Sequence, residues 1–168
     1  MLAAVLSTML LGAVVAFDAV APTSVSAAPG SFTVDDGTDL VDSAIDGECR
    51  TMADTCTLRA AVQEANAAGG TTQILFAPGV EVIKLDISGA GGAEAGDLDI
   101  DAGVTVQLTG NVLDVNRVVE VFASAMSDRH FHVADAGRLE LVHITLRDGI
   151  ADGDGGAILN EGSVLVTN

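Results

Sequence analysis

Residues 130–168 constrain the fold of this chain more than any other stretch. They read H-F-H-V-A-D-A-G-R-L-E-L-V-H-I-T-L-R-D-G, then a Gly- and Asp-rich turn, then G-G-A-I-L-N-E-G-S-V-L-V-T-N. Apolar residues alternate in short runs: Phe131/Val133, Leu139/Leu141, Ile144/Leu146 and Val164/Val166. Alternation places one set of side chains on one face, which is the pattern of a strand. Gly137 and Gly162 sit at matching places in these runs, a near-repeat of roughly 25 residues. A period in that range belongs to solenoids, where one turn cannot bury its apolar face alone and stacked neighbours build the core.

Length is consistent with one domain. Apolar residues make up 49% of the chain, but Trp and Tyr are absent and Phe numbers five. The core must therefore come from Val, Leu, Ile and Ala. Net charge is −17 with only seven Lys and Arg. So few cations cannot neutralise a phosphate track, which excludes nucleic acid and anionic membrane as partners of a basic surface. Such a charge suits a solvated extracellular surface, or one that recruits cations.

Residues 2–17 are almost wholly apolar, and Val25-Ser26-Ala27 offers small residues where a signal peptidase reads. Residues 1–27 are predicted to be a cleaved secretory signal, although no Lys or Arg precedes the apolar run. The run is slightly short for a membrane span of about 20 residues. Cys49 and Cys56 are the only cysteines. Behind a signal segment they are expected to form a disulfide. Their spacing is not C-x2-C and the histidines lie far downstream, which speaks against zinc.

The spacing predicts a helix over residues 58–68. Leu58, Ala61, Val62 and Ala65 make one apolar stripe. Thr57 is the expected N-cap, and Gly69-Gly70 the stop. Arg59, Gln63, Glu64 and Asn66 face the other way, as an ordinary solvated face. Strands follow at Ile74-Leu75-Phe76, then at residues 80–85, where the apolar phase shifts between Val82 and Ile83 and predicts a bulge. Leu98/Ile100, Val104/Val106/Leu108 and Val118/Val119/Val121/Phe122 come next. The strand after Gly103 is offset by one residue against those after Gly137 and Gly162.

Cys56-Thr57-Leu58-Arg59-Ala60-Ala61-Val62-Gln63-Glu64-Ala65-Asn66-Ala67 resembles the motif that names the CSLREA-domain proteins. These are bacterial exported proteins in which the motif precedes a right-handed parallel β-helix. Phe32-Thr33-Val34 and Cys49 also match that pattern. Thr57 stands where the motif has serine and still caps. Ala60 stands where it has glutamate, which removes the reciprocal half of a capping box. Gly155-Gly156-Ala157-Ile158-Leu159-Asn160 is similar to the GGAI repeat of polymorphic outer-membrane proteins. Its companion F-x-x-N is present only as Leu165-Val166-Thr167-Asn168. In that motif paired glycines turn a corner, Ala157 and Ile158 are expected to enter the core, and Asn160 to serve the turn backbone or stack on another Asn.

The resemblance implies an all-β fold, a right-handed parallel β-helix with a short N-terminal capping helix. Residues 28–70 would form the cap, tied by the disulfide, because a solenoid end exposes core and strand edges. Residues 71–168 would be the first rungs, truncated where the family continues toward a surface anchor or an outer-membrane barrel. The implied function is a secreted or cell-surface scaffold, adhesin-like, with no cofactor and no catalysis in this portion. Its partners would be host or neighbouring-cell surface components or glycans. It would meet a membrane only through the signal segment or a missing C-terminal anchor. The alternative is a pectate-lyase-like polysaccharide lyase, or another glycan-acting β-helix enzyme.

Several side-chain sets could carry chemistry. Asp97, Asp99 and Asp101 share one strand face, as Ca²⁺ ligands or as a solvated face. Asp148, Asp152, Asp154 and Glu161 are the better calcium candidates. Ile150 occupies the first position of an EF-hand spacing and no helices flank the loop, so it is not an EF-hand. His130 and His132 alternate with Phe131 and Val133 and are expected on the outer face, where His143 could join them on a metal. Arg129, Arg138 and Arg147 are the bases a lyase would need, on fold analogy alone. No nucleophile elbow, phosphate loop or H-E-x-x-H motif is present.

Overall fold

A computed structural model describes residues 30–89, 94–110 and 118–168. The expected signal segment, residues 1–27, lies outside them. The described residues are mostly strand with one short helix. The strands are β1 (Gly30–Val34), β2 (Gly70–Phe76), β3 (Val82–Lys84), β4 (Leu98–Ile100), β5 (Val104–Thr109) and β6 (Val119–Phe122). They continue with β7 (Phe131–Val133), β8 (Arg138–Val142), β9 (Ile144–Arg147), β10 (Ile158–Asn160) and β11 (Ser163–Thr167). The helix α1 (Leu58–Ala68) joins β1 to β2.

These strands form three open, wholly parallel sheets, ordered β1-β2-β5-β8-β11, β3-β6-β9 and β4-β7-β10. From β2 onward the chain visits the three sheets in the same cyclic order, adding one strand to each. Alternation decides which side chains face in. Val104, Val106 and Leu108 of β5 are buried while Thr105, Gln107 and Thr109 are not. The inward residues of all three sheets meet in one core, including Ile74, Leu108 and Leu139, Ile83 and Val121, and Leu98, Phe131 and Val133. They stack in register: Ile74 on Leu108 on Leu141, and Leu98 on Phe131 on Ile158.

The glycine repeat has a steric cause. Ser163 pairs with Arg138, so Gly162 stacks on Gly137. A Cβ on Gly162 would lie 2.3 Å from the Gly137 carbonyl oxygen, and one on Gly137 2.8 Å from that of Ile100. Thr105 also pairs with Arg138, so Val104 takes the place of Gly137, and the expected one-residue offset is present. Gly103 then falls beside Ala136, and both adopt positive φ, 79° and 63°. The phase shift at Val82 is present as well: Val82 is 44% exposed while Ile83 and Leu85 are buried. Only Val119 and Val121 of the next run face inward, with Val118 and Phe122 half-buried.

The helix has the expected limits. Thr57 Oγ1 accepts from the Ala60 N–H at 3.2 Å and donates to the Leu40 carbonyl at 2.6 Å. Gly69, at φ 68°, closes the last turn on Ala65. Cys49 and Cys56 form the expected disulfide. Its short loop removes about 2.5 kcal/mol of unfolded-state entropy in the chain-entropy model.

One expectation about the helix is overturned. Arg59, Gln63 and Glu64 are buried, not solvated, at 0%, 9% and 1% exposure. Residues 35–55 fold back over that face, and their backbone donors need acceptors there. Gln63 Oε1 accepts from Asp42 N–H at 2.7 Å, and Glu64 from Asp46 and Gly47 N–H at 2.9 and 2.8 Å. Asn66 donates to the Asp99 carbonyl, which ties the helix to β4. A helix placed this way packs against β1, β2, β4 and β5 and covers the N-terminal end of the shared core.

Candidate functional site

Among the described residues, a set of titratable side chains gathers on the outer face of the β4-β7-β10 sheet. Leu98 and Ile100 point inward, so Asp99 points out, and the same rule turns His132 outward between Phe131 and Val133. Asp99 and His132 are register partners. Glu161 follows directly on β10. The result is one imidazole held between two carboxylates. Nδ1 lies 2.8 Å from Asp99 Oδ1, and Nε2 lies 3.0 Å from Glu161 Oε2. A neutral imidazole has one N–H, so donating to both carboxylates requires the imidazolium. The His132 pKa is accordingly raised, first by the Glu161 hydrogen bond and next by Asp99, with burial opposing.

Beside this clamp, Asp97 is raised by burial and then by the nearby charges of Asp128 and Asp99. Arg129 partly offsets this from 3.7 Å. Asp97 and Asp99 thus flank Leu98 on the outer side, as alternation predicts, with Asp101 exposed beyond them.

His130 departs from expectation. It is fully buried and not on the outer face. It precedes β7 at a corner, where strand alternation no longer applies. Its Nε2 lies 2.9 Å from both the Val121 and the Arg147 carbonyl oxygens, which fixes the N–H there. Nδ1 has no partner and packs against Gly149. Burial lowers the His130 pKa against its backbone hydrogen bonds, which favours the neutral ring. The pair His130/His132 therefore cannot chelate one metal from a shared face.

The calcium candidates are not gathered. Glu161 is engaged by His132, while Asp148, Asp152 and Asp154 are exposed. Among the described residues no three His, Cys, Asp or Glu side chains form a ligand set. Asp99 and Glu161 meet opposite nitrogens of one ring, whose lone pairs diverge, so one ion cannot reach all three. The three arginines do not share a face: Arg138 and Arg147 lie on different sheets, and Arg129 lies outside the strands. Arg138 on β8 bonds Glu140 at 2.6 Å, Arg147 on β9 bonds Glu120 at 2.7 Å, and Arg129 sits ahead of β7 with Asp97 and Asp128. In Gly155-Gly156-Ala157-Ile158-Leu159-Asn160, Ile158 packs on the core as expected, whereas Ala157 is exposed and contributes its carbonyl to the His130 and Phe131 N–H groups. Asn160 is exposed beside Val133, not another Asn.

Among the described residues one ionic contact is fully buried, and nothing in the sequence marks it. Arg59 Nε and a terminal nitrogen bind Asp39 at 2.6 and 3.0 Å, with neither side chain exposed. Asp39 also accepts the Asp86 and Ile87 N–H groups at 2.8 Å each. Arg59 reaches the Gly96 carbonyl at 2.8 Å. An arginine four residues from its helix's first buried glutamine carries no sequence mark of burial; only the twenty-residue distance to Asp39, closed in space, reveals it.

The chain matches no protein-family model, no curated protein and no solved structure.

The clamp makes stability depend on pH. His132 has a folded pKa above its ordinary value of about 6.5. Its contribution is therefore complete below about pH 6.5 and is lost as pH rises through the folded pKa. His130, with a lowered pKa, acts oppositely: the unfolded chain gains its proton as pH falls, and stability is lost there. Comparing wild type with His132→Gln isolates the first term. The melting temperature of His132→Gln should fall furthest below wild type near pH 6 and approach it near pH 9. A gap that stays constant over that range rules out the charged clamp.

Proposed function

We propose that this chain is the N-terminal cap and first rungs of a right-handed parallel β-helix of the CSLREA-domain type. In this reading it is an exported scaffold, secreted or displayed at the cell surface and adhesin-like, without catalysis in this portion. The observation that carries the reading is the use made of the motif residues. Cys56 is in the disulfide, Thr57 caps α1, and Leu58, Arg59, Ala60 and Glu64 are all buried. Each serves to seat the helix over the end of the core, and none is turned toward a substrate. The cyclic order of the three parallel sheets supports a coil of stacked rungs. The outer-face charges support a scaffold, since Arg138, Arg147 and His132 are each engaged by carboxylates of their own chain.

The lyase alternative needs an arginine free to act as the base beside acidic calcium ligands, whereas Arg129, Arg138 and Arg147 are each held in ion pairs by carboxylates. The deciding experiment expresses the tagged chain in a bacterial host and treats intact cells with protease. Export predicts that the tag is lost without lysis and that Cys49 and Cys56 resist alkylation until reduced. A tag protected in intact cells, with both thiols free, overturns the reading. Release of unsaturated uronates from acidic polysaccharide would instead favour the lyase.

A further inference from the structure

Lys84 is the only lysine in the chain. Among the described residues every arginine lies in an ion pair, whereas Lys84 has no carboxylate partner. It stands on β3 in register with Phe122 of β6, which is in register with Arg147 of β9. Ile83 and Leu85 turn into the core, so Lys84 and Asp86 share the outer side. Val82, Phe122 and Ala125 form the apolar wall of a groove of about 280 Å³, with the buried Leu85 behind it. Lys84, Asp86 and Ser124 supply its polar positions. A cation left unpaired in a chain of net charge −17, beside an apolar wall that leaves Val82 44% exposed, is a departure from the pairing seen elsewhere on this surface.

We propose that this groove binds a small monocarboxylate with a flat apolar body, an arylalkanoate in chemical class. Charge, apolar surface and size select that occupant. Lys84 offers a point charge with three donors to a carboxylate, and the Ser124 hydroxyl offers one more. Arg147 is already engaged by Glu120 at 2.7 Å, so a single anionic group is the complement. Asp86 and the surrounding negative field oppose further negative charge on the ligand. Phe122 and Val82 present the apolar surface, and an aromatic body can lie offset against the phenyl ring. The cavity falls just under the roughly 300–1,000 Å³ usual for small-molecule sites, which suits a one- or two-ring acid. The site is separate from the scaffold reading and does not depend on it.

The test is fluorescence titration of the whole chain with 2-naphthylacetate. The protein has no Trp or Tyr, so the signal belongs to the ligand. Saturable binding is expected, at least tenfold weaker for Lys84→Met, which keeps an unbranched apolar stem, and for the neutral 2-naphthylacetamide on wild type. Phe122→Ala should weaken binding by a similar factor. Lys84 is exposed, so Lys84→Met should melt as wild type does, separating loss of the site from loss of the fold. Equal affinity of Lys84→Met for the acid, equal affinity of wild type for acid and amide, or no saturation by about 10 mM ligand overturns the proposal.

Discussion

Arg59→Met is expected to destabilise the protein by about 3–5 kcal/mol, because it strands a buried carboxylate. Asp39 is fully enclosed and receives four donors: two guanidinium nitrogens and the N–H groups of Asp86 and Ile87. Removing the guanidinium leaves the charge with two neutral donors and no counter-charge. The same change frees the Gly96 carbonyl of its 2.8 Å bond. These groups belong to the loop over the helix, the helix itself and the segments after β3 and before β4. The loss should therefore appear as undocking of the cap from the first turn, not as a local change at the helix surface. Thermal unfolding followed by circular dichroism should show a fall of roughly 10 °C, on the usual scaling for a domain of this size. Asp39→Asn should cost a similar amount for the complementary reason, an unpaired buried guanidinium. The double variant should cost clearly less than the sum, since the stranded charge is then gone. Additive losses, or a loss under about 1 kcal/mol for Arg59→Met, would show that the pair does not hold the cap.

Phe131→Ala carries the other large effect, also about 3–5 kcal/mol. Phe131 is fully buried on the central strand of its sheet, between Leu98 and Ile158 in register. A ring removed there leaves a void that neighbours on both sides, held by parallel ladders, cannot close. Val166→Ala is the internal comparison. Val166 alternates correctly with Val164 but is 63% exposed on the edge strand β11. Its truncation should change stability by less than about 0.5 kcal/mol. Comparable losses at the two positions would mean that the edge strand is covered in solution and that the stack does not end at β11.

The alternation that places Phe131 in the core was legible from the chain, because period two acts between neighbouring residues and needs no knowledge of what lies opposite. The same holds for Thr57 and Gly69, because helix caps are set by local backbone requirements. The disulfide was legible because the chain has only two cysteines, eight positions inclusive of one short loop. Arg59 was not. On the helix alone it falls opposite the apolar stripe, and the rule for an amphipathic helix assigns it to solvent. What overrides the rule is the long polar segment before the helix, whose backbone donors fold onto Gln63 and Glu64 and whose Asp39 arrives at the guanidinium.

His130 and His132 show the same division at a finer scale. Both stand in an alternating run, yet one is buried and the other outward and clamped. The strand begins only at Phe131, so alternation governs His132 and says nothing of the corner residue before it. The Asp99–His132–Glu161 contact joins residues 33 and 29 positions apart, and only lateral register makes them neighbours. By itself, then, the sequence determined most of the strands and their apolar faces, because those are short-range properties, whereas Ile158–Asn160, read as part of a corner, is strand β10. The tertiary structure decided which charges meet, which are buried and which cation is left without a partner, because each depends on how separate passages of the chain lie side by side.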